Sequence, residues 1–377
     1  MRGRILVIDY KTPTPDQDSG SASLFSLLQI LSRAGFAVIF APTNLAKAGR
    51  YTQALEDLGI EAISAPDFGS IESVVETIGP RSDVLLLCRP TIAGPLLKLA
   101  RRVAPAAKIL FRPVDLHFVR MKREAMLTGL QDQHDSAKAM YAIELGVIMK
   151  ADATIVVSQY EYDLLRQFVP DAAVHQIPIM REPPASLSRP GFDTRTENRH
   201  GILFIGGYEH PPNVDAAQWL ARDIWPKVPA TGIADPLILV GSKMPEEITA
   251  LASDSIEVRG YVPDLAQLFA TCRMSIAPLR YGGGVKGKIV TSLSYGVPVV
   301  ATSVAAEGMG LRRDQDILVA DEPDAIVEEI RRLCDDPALW RRLSANGLQA
   351  FQEKFSLAAG ADRFLAVVDG LLASAAP

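Results

Sequence analysis

Residues 275–309, SIAPLRYGGGVKGKIVTSLSYGVPVVATSVAAEGM, decide the fold. They read as strand, glycine loop, helix, strand and a second glycine-containing loop. Ser275–Pro278 is a short apolar strand closed by proline, and Leu279, Arg280 and Tyr281 lead into Gly282, Gly283 and Gly284. Lys286 and Lys288 straddle Gly287 at the mouth of an apolar helix that stops at Gly296, and Pro298–Thr302 is the next strand. Glycine lets backbone N–H groups approach a ligand closely, and a helix N-terminus carries partial positive charge. Two lysines added there predict an anion site, most simply for a phosphate or diphosphate. Gly282 to Lys288 also satisfies the G-x-x-x-x-G-K part of a P-loop, but Ile289 stands where Ser or Thr would hold Mg²⁺. The element follows a late strand as well, so a P-loop is set aside. The plainer reading, a tight turn with solvated lysines, stays open.

Working outward, the chain of 377 residues suits two domains of ordinary size. A hydrophobic content of 48% and a charged content of 22% are those of a soluble globular protein. The net charge of −5 argues against bulk attraction to nucleic acid or anionic lipid. Cys88, Cys272 and Cys334 are scattered and odd in number, which predicts buried free thiols in a reducing compartment. Ile5–Ile8 is too short for a signal peptide and leads into Asp9, and no run approaches 18 apolar residues. The expected place is the cytoplasm, at most peripheral at the inner face of the membrane.

Arg4–Asp9 reads as a buried parallel strand, followed by a loop with Asp16, Asp18 and Gly20 and by a helix from about Ser21 to Ala34. Strands at Ala37–Ala41, Glu61–Ser64, Asp83–Cys88, Lys108–Phe111 and Thr154–Ser158 then alternate with helices, two of them (Val119–Gly129 and Ser136–Lys150) after Asp115 and His117. The Pro-rich, polar stretch Ile177–Arg199 interrupts this pattern. Alternation restarts with strands Ile202–Ile205, Leu237–Val240 and Glu257–Arg259, a helix Asp215–Ile224, and the opening stretch. Helices close the chain, the last from Ser356 to about Ala373. Strands separated by single helices imply βαβ units and a parallel sheet in each half. The expected fold is α/β with two Rossmann-like domains facing a cleft, ligands lying outside the carboxyl ends of the strands. The expected domains are 1–180, a linker at 181–199, and 200–356.

The opening stretch and three others resemble the retaining glycosyltransferases of family 4, which have the GT-B fold. The others are Ile5–Phe25 (ILVIDYKTPTPDQDSGSASLF), Asp115–Arg123 (DLHFVRMKR) and Leu203–Trp219 (LFIGGYEHPPNVDAAQW). The likeness is greatest to the branch found in bacterial surface-polysaccharide and O-antigen gene sets. It implies a C-terminal domain that binds a nucleotide-diphosphate sugar, an N-terminal domain that binds a glycan or lipid-linked acceptor, and a final helix (357–377) crossing back to the N-terminal domain. It implies no cofactor and no metal, so Asp16-x-Asp18 and Asp314-x-Asp316 are read as solvated turns.

Glycosyl transfer needs the leaving diphosphate stabilised by preorganised cations and N–H groups. Lys286, Lys288 and Arg280, with the N–H groups of Gly283 and Gly284, are the residues assigned to it. The family's usual Arg and Lys after the first strand of the second domain are absent, that region being Gly206–Gly207–Tyr208 and then Asn213. The family also carries two glutamates eight positions apart, and their places here are Gly283 and Thr291. Thr291 is left as a neutral partner for the ribose. Gly20 is placed near the donor phosphates, Val262 against the base, and His117 and Glu307 toward the sugar. Structural roles for His117, for Asn213 as a helix cap and for Glu307 stay open. The catalytic candidates are therefore His117, Lys288 and Glu307, and the donor-binding set is Gly20, Gly206, Gly207, Asn213, Val262, Arg280, Gly283, Gly284, Lys286, Lys288 and Thr291. Lys98, Arg101 and Arg102, with Arg120, Lys122 and Arg123, form two basic clusters for a weak peripheral membrane contact, a solvated face being the alternative. Residues 1–180 carry 19 basic against 19 acidic side chains, so any such pull is local. A non-catalytic nucleotide- or glycan-binding subunit is the rival class. A dehydrogenase lacks G-x-G-x-x-G after either first strand.

Overall fold

The computed structural model describes residues 2–184 and 198–374. Most of the expected linker, 185–197, lies outside the described residues. Backbone contacts divide the chain into two units. The first takes the described residues of Met1–Pro15, Gly20–Pro178 and Gly360–Pro377, and the second takes those of Asp16–Ser19 and Ile179–Ala359.

In the first unit, β1 (Arg4–Asp9), β2 (Ala37–Pro42), β3 (Glu61–Ala62), β4 (Val84–Cys88), β5 (Lys108–Arg112), β6 (Ala153–Val156) and β7 (Val174–Gln176) form one sheet in the order β3-β2-β1-β4-β5-β6-β7. Every pairing is parallel. The strands carry near-continuous apolar runs because helices cover both faces. These are α1 (Ser19–Arg33), α2 (Arg50–Glu56), α3 (Ile71–Ile78), α4 (Pro90–Val103), α5 (His117–Thr128), α6 (Gln131–Ile148) and α7 (Gln159–Phe168). Leu6, Leu85, Leu87, Ile109 and Phe111 are buried on one face of the sheet against Val74, Leu97 and Ile148 of these helices.

In the second unit, β8 (Ile202–Ile205), β9 (Leu237–Val240), β10 (Ile256–Gly260), β11 (Met274–Ala277), β12 (Val299–Ala301) and β13 (Leu318–Val319) run in the order β10-β9-β8-β11-β12-β13, again all parallel. The helices are α8 (Pro211–Trp219), α9 (Glu246–Thr249), α10 (Ala266–Thr271), α11 (Gly287–Ser294), α12 (Ser303–Ala306), α13 (Pro323–Asp335) and α14 (Pro337–Lys354). The last helix, α15 (Leu357–Ala373), enters the first unit from Gly360 on, where Phe364 and Val368 are buried and Asp369 pairs with Arg2.

Both sheets share one winding: the first strand is central, the next two lie on one side and the rest on the other. The order reverses between β1 and β4 in the first unit and between β8 and β11 in the second. At such a switch point the connections leave in opposite directions, and a crevice opens outside the carboxyl ends of the strands.

Several elements differ from their expectation, α6 among them, which starts at Gln131 rather than Ser136. β7 is an added edge strand whose sequence, Val174-His175-Gln176, carries too little apolar pattern to be read as one. α8 starts at Pro211 rather than Asp215, since a first helical turn accepts prolines that lack N–H groups, and it continues as a wide π-turn over Leu220–Ile224. α5 begins at His117 rather than Val119, which puts the histidine on the first residue of a helix.

Candidate active site

The site in the second unit sits on the β8–β11 switch point. After β8 the chain runs through Gly206 and Gly207, and these glycines answer to their neighbours. A Cβ on Gly206 would stand 3.0 Å from the Asn213 side chain, and one on Gly207 would stand 3.1 Å from the Gln17 carbonyl oxygen. Gly241, just past β9, tolerates no side chain, because a Cβ there would fall 1.6 Å from the Gly206 carbonyl oxygen. The sequence reading did not single out Gly241. A lone glycine directly after an apolar strand was its only signal.

After β11 the chain enters the glycine loop. Gly284 has φ +60°, in the left-handed region, where glycine carries no steric cost. Gly282 leaves room for the stem of Lys286, whose Cε would lie 3.2 Å from a Cβ at that position. Lys286 thus folds back into its own loop, and Nζ donates to the Gly283 and Gly284 carbonyl oxygens at 2.8 and 2.7 Å. Thr302, between β12 and α12, steadies the same loop, its hydroxyl donating to the Leu279 carbonyl oxygen at 2.6 Å.

Lys288, one residue into α11, is placed differently. Its Nζ donates to Asn213 Oδ1 at 2.6 Å and lies 4.2 Å from the centre of the Phe204 ring. Asn213 in turn donates through Nδ2 to the Gly207 carbonyl oxygen at 2.8 Å. The two glycine loops are therefore stitched together by the chain Lys288–Asn213–Gly207. Among the described residues no carboxylate pairs with Lys288, and part of its surface stays accessible. Burial, with the neighbouring Lys286, pushes its amine down to about 7.

The other donor-side candidates are distributed around this pair. Arg280 is held by Asp215 on α8 and lies 5.7 Å from the Trp219 ring centre. Thr291 is half-buried on α11, and Glu307 is half-buried at the end of α12. Val262, after β10, packs on the core of Leu203, Ile238, Val240 and Phe269.

The segment Asp16–Ser19 belongs to this unit and is anchored by three side chains. The Tyr261 hydroxyl donates to Asp16, Ser242 Oγ donates to the Gln17 carbonyl oxygen at 3.0 Å, and Arg181 donates to Ser19 Oγ at 3.0 Å. At Gly287 a Cβ would stand 2.0 Å from Ser19 Oγ. Ser19 thus touches the N-terminus of α11, and Gly20 follows in the first turn of α1.

His117 lies in the first unit, at the carboxyl end of the β5–α5 connection. Its Nε2 is 3.4 Å from Asp115 Oδ1, and Asp115 also accepts from Arg120 Nε at 2.9 Å. Its Nδ1 is buried without a partner, and burial pushes its pKa down. Two buried carboxylates that the sequence reading passed over hold this loop. Glu144 accepts from the N–H groups of His117 (3.2 Å) and Phe118 (3.1 Å), and Glu161 accepts from Leu116 N–H (2.9 Å). Burial pushes the Glu144 carboxyl up to about 8. Glu161 was legible through the capping-box pattern Ser158-x-x-Glu161.

Of the basic clusters, Arg101 pairs with Asp152, Arg102 with Glu76 and Arg120 with Asp115, while Arg123 lies over the Tyr160 ring. Lys98 and Lys122 are exposed. Among the described residues no helix is long and apolar enough to cross a membrane. Of the two D-x-D pairs, Asp314 pairs with Arg332 and Asp316 with Arg312.

Two parallel α/β units of this winding, each with a switch point in its strand order, define the GT-B-like class of folds. Residues 199–336, which contain both glycine loops, Asn213 and Lys288, match the sequence family described as Glycosyl transferases group 1. No curated protein sequence matches the chain. Among solved structures it is similar to sucrose-phosphate synthase from Thermosynechococcus elongatus, with a TM-score of 0.74 at 17% identity over 99% of this chain and 100% of that one. HepE from Anabaena, solved with UDP and glucose, gives 0.73 at 15% identity over 98% and 100%. A TarM variant from S. aureus, solved with fondaparinux, α-GlcNAc-glycerol and UDP, gives 0.70 at 10% identity over 98% and 99%. At these identities the likeness is one of fold.

Proposed function

We propose that the protein is a glycosyltransferase that moves a sugar from a nucleotide-diphosphate sugar to a glycan or lipid-linked acceptor, with retention, in the synthesis of a bacterial surface polysaccharide such as O-antigen. The observation that carries this reading is Lys288, an amine on the first turn of α11 at the switch point, paired with an amide and, among the described residues, with no carboxylate. When the bond between the sugar C1 and the diphosphate oxygen breaks, negative charge collects on the diphosphate. A preorganised cation and a helix N-terminus stabilise that charge. Lys286 supports the loop from within, and Arg280 reaches the ligand only in competition with Asp215. The match of residues 199–336 to the glycosyltransferase family, and neighbours solved with UDP, support the same reading.

In this reading the cation at the diphosphate is Lys288 rather than a metal ion, so chelation leaves turnover unchanged. The protein works in the cytoplasm, and Lys98 and Lys122 supply at most a weak contact with the inner face of the membrane. A thermal-shift panel of UDP, GDP, dTDP and their sugars tests the donor site, since a ligand that binds only the folded state raises its melting temperature. A shift with one nucleotide family and slow hydrolysis of its sugar is the expected result. No shift with any of them refutes the reading. A second reading, a non-catalytic nucleotide-binding subunit, is favoured by Gly283 and Thr291 standing where the resembled family has glutamates. Binding without hydrolysis or transfer selects it.

A further inference from the structure

Lys288 has a partner that accepts a hydrogen bond from an amine in either protonation state. The Asn213 amide oxygen, 2.6 Å away, takes an N–H from –NH₂ as readily as from –NH₃⁺. A carboxylate there would lock the amine in its charged form. The orientation of Asn213 is itself set by its bond to the Gly207 carbonyl oxygen and by its packing on Gly206, so the amine is held at a defined point between the two glycine loops. Among the described residues none of the other charged groups nearby pairs with it, Asp18 beside Gly207 and Arg181 beside Gly287 included. Lys286, on the same turn, is a second cation. Asp215 on α8 is taken by Arg280, and the Tyr208 hydroxyl after β8 is buried and kept neutral by that burial. Glu209 and His210 stand at the exposed N-terminal end of α8. Phe204 presents only its ring.

We propose that Asn213 is a positioning residue that holds the Lys288 amine uncompensated at the β8–β11 switch point, so that the diphosphate group of the donor and a proton bind there together. The inference rests on the functional reading above and adds to it. The proton comes from solution and forms one N–H bond on Nζ. The charge of the diphosphate then supplies the counter-ion that the protein does not. The amine, already pushed down to about 7 by burial and by Lys286, regains its proton once that anion is in place.

The test is calorimetric titration of the full chain with UDP-glucose, GDP-mannose and dTDP-glucose, whose phosphates stay ionised between pH 6 and 9. Each titration is run in two buffers of different ionisation enthalpy, which yields the number of protons exchanged. The expected result is uptake of most of a proton per nucleotide sugar at pH 8, falling to almost none at pH 6. Lys288→Arg should bind within about tenfold of the parent affinity and exchange no proton, since arginine stays charged. Asn213→Asp should lose the proton uptake and bind at least tenfold more weakly, because the new carboxylate both charges the lysine and competes with the diphosphate. A purely structural role for Asn213 would leave the uptake of that variant unchanged. Binding without proton uptake in the parent, or equal uptake in Lys288→Arg, overturns the inference while sparing the functional reading. Absence of binding by all three nucleotide sugars overturns both.

Discussion

Replacing Lys288 by methionine should stabilise the ligand-free protein and abolish nucleotide binding. The drop of the amine from 10.5 to about 7 costs the folded state about 4 kcal/mol at pH 7, at about 1.4 kcal/mol per unit. Methionine removes that cost. It also leaves Asn213 Oδ1 without its donor and forfeits the contact of the ammonium with the Phe204 ring, together about 2 kcal/mol. The balance is a gain of about 2 kcal/mol, or roughly 4–8 °C in the melting temperature of a unit of this size. The pH dependence carries the sharper signature. The folded-state value lies below the unfolded one, so between pH 7 and 10.5 the unfolded chain binds more protons and stability rises with pH. In the methionine variant that rise should be absent. Urea unfolding of both proteins at pH 7, 8 and 9.5 measures the difference. A variant less stable than its parent at pH 7, or one with the same rise toward pH 9.5, would refute the account of Lys288 as a buried amine without a counter-ion.

The remaining expectations concern the surroundings of the site. Lys286→Ala removes two bonds to the glycine loop. It should cost about 2–4 kcal/mol and open the loop to proteolysis between Tyr281 and Gly287. Gly287→Ala would place a Cβ against Ser19 and should cost about 1–3 kcal/mol; Ser19→Gly should recover most of it in a double-mutant cycle, and additive effects would break the assignment of that contact. For Glu144, raised from 4.5 to about 8, the stability it contributes is full below pH 4.5 and is lost as pH rises through 8. Glu144→Gln should flatten that decline in unfolding curves taken from pH 5 to 8.5. Burial pushes Cys88 and Cys272 up to about 12 and Cys334 up to about 11. All three thiols should resist alkylation at pH 8 in the native protein and react fully in denaturant.

Much of the architecture was legible in the chain because a parallel strand buried on both faces is continuously apolar. Such runs stand out between helices of period 3.6. Arg4–Asp9, Ile202–Ile205 and Leu237–Val240 were read to the residue. β7 was not, since its pairing with β6 supplies what its own side chains lack. The glycine loop was equally plain, because three consecutive glycines before an apolar helix stand out in any sequence. The division of labour within it was not. Lys286 and Lys288 look equivalent two residues apart, yet one turns inward to carbonyl oxygens and the other crosses to α8.

By itself the sequence determined the alternation of two α/β halves with parallel sheets and marked the glycine loop at a helix start as the candidate anion site, since both follow from local pattern: apolar runs, glycines and a helix start. Only the tertiary structure decided what each charged side chain does. Asn213 is 75 positions from Lys288, Asp215 is 65 from Arg280, and Glu144 is 27 from His117. The charge and hydrogen bonding of a buried group depend on the partner that folding brings to it. No spacing along the chain encodes that partner.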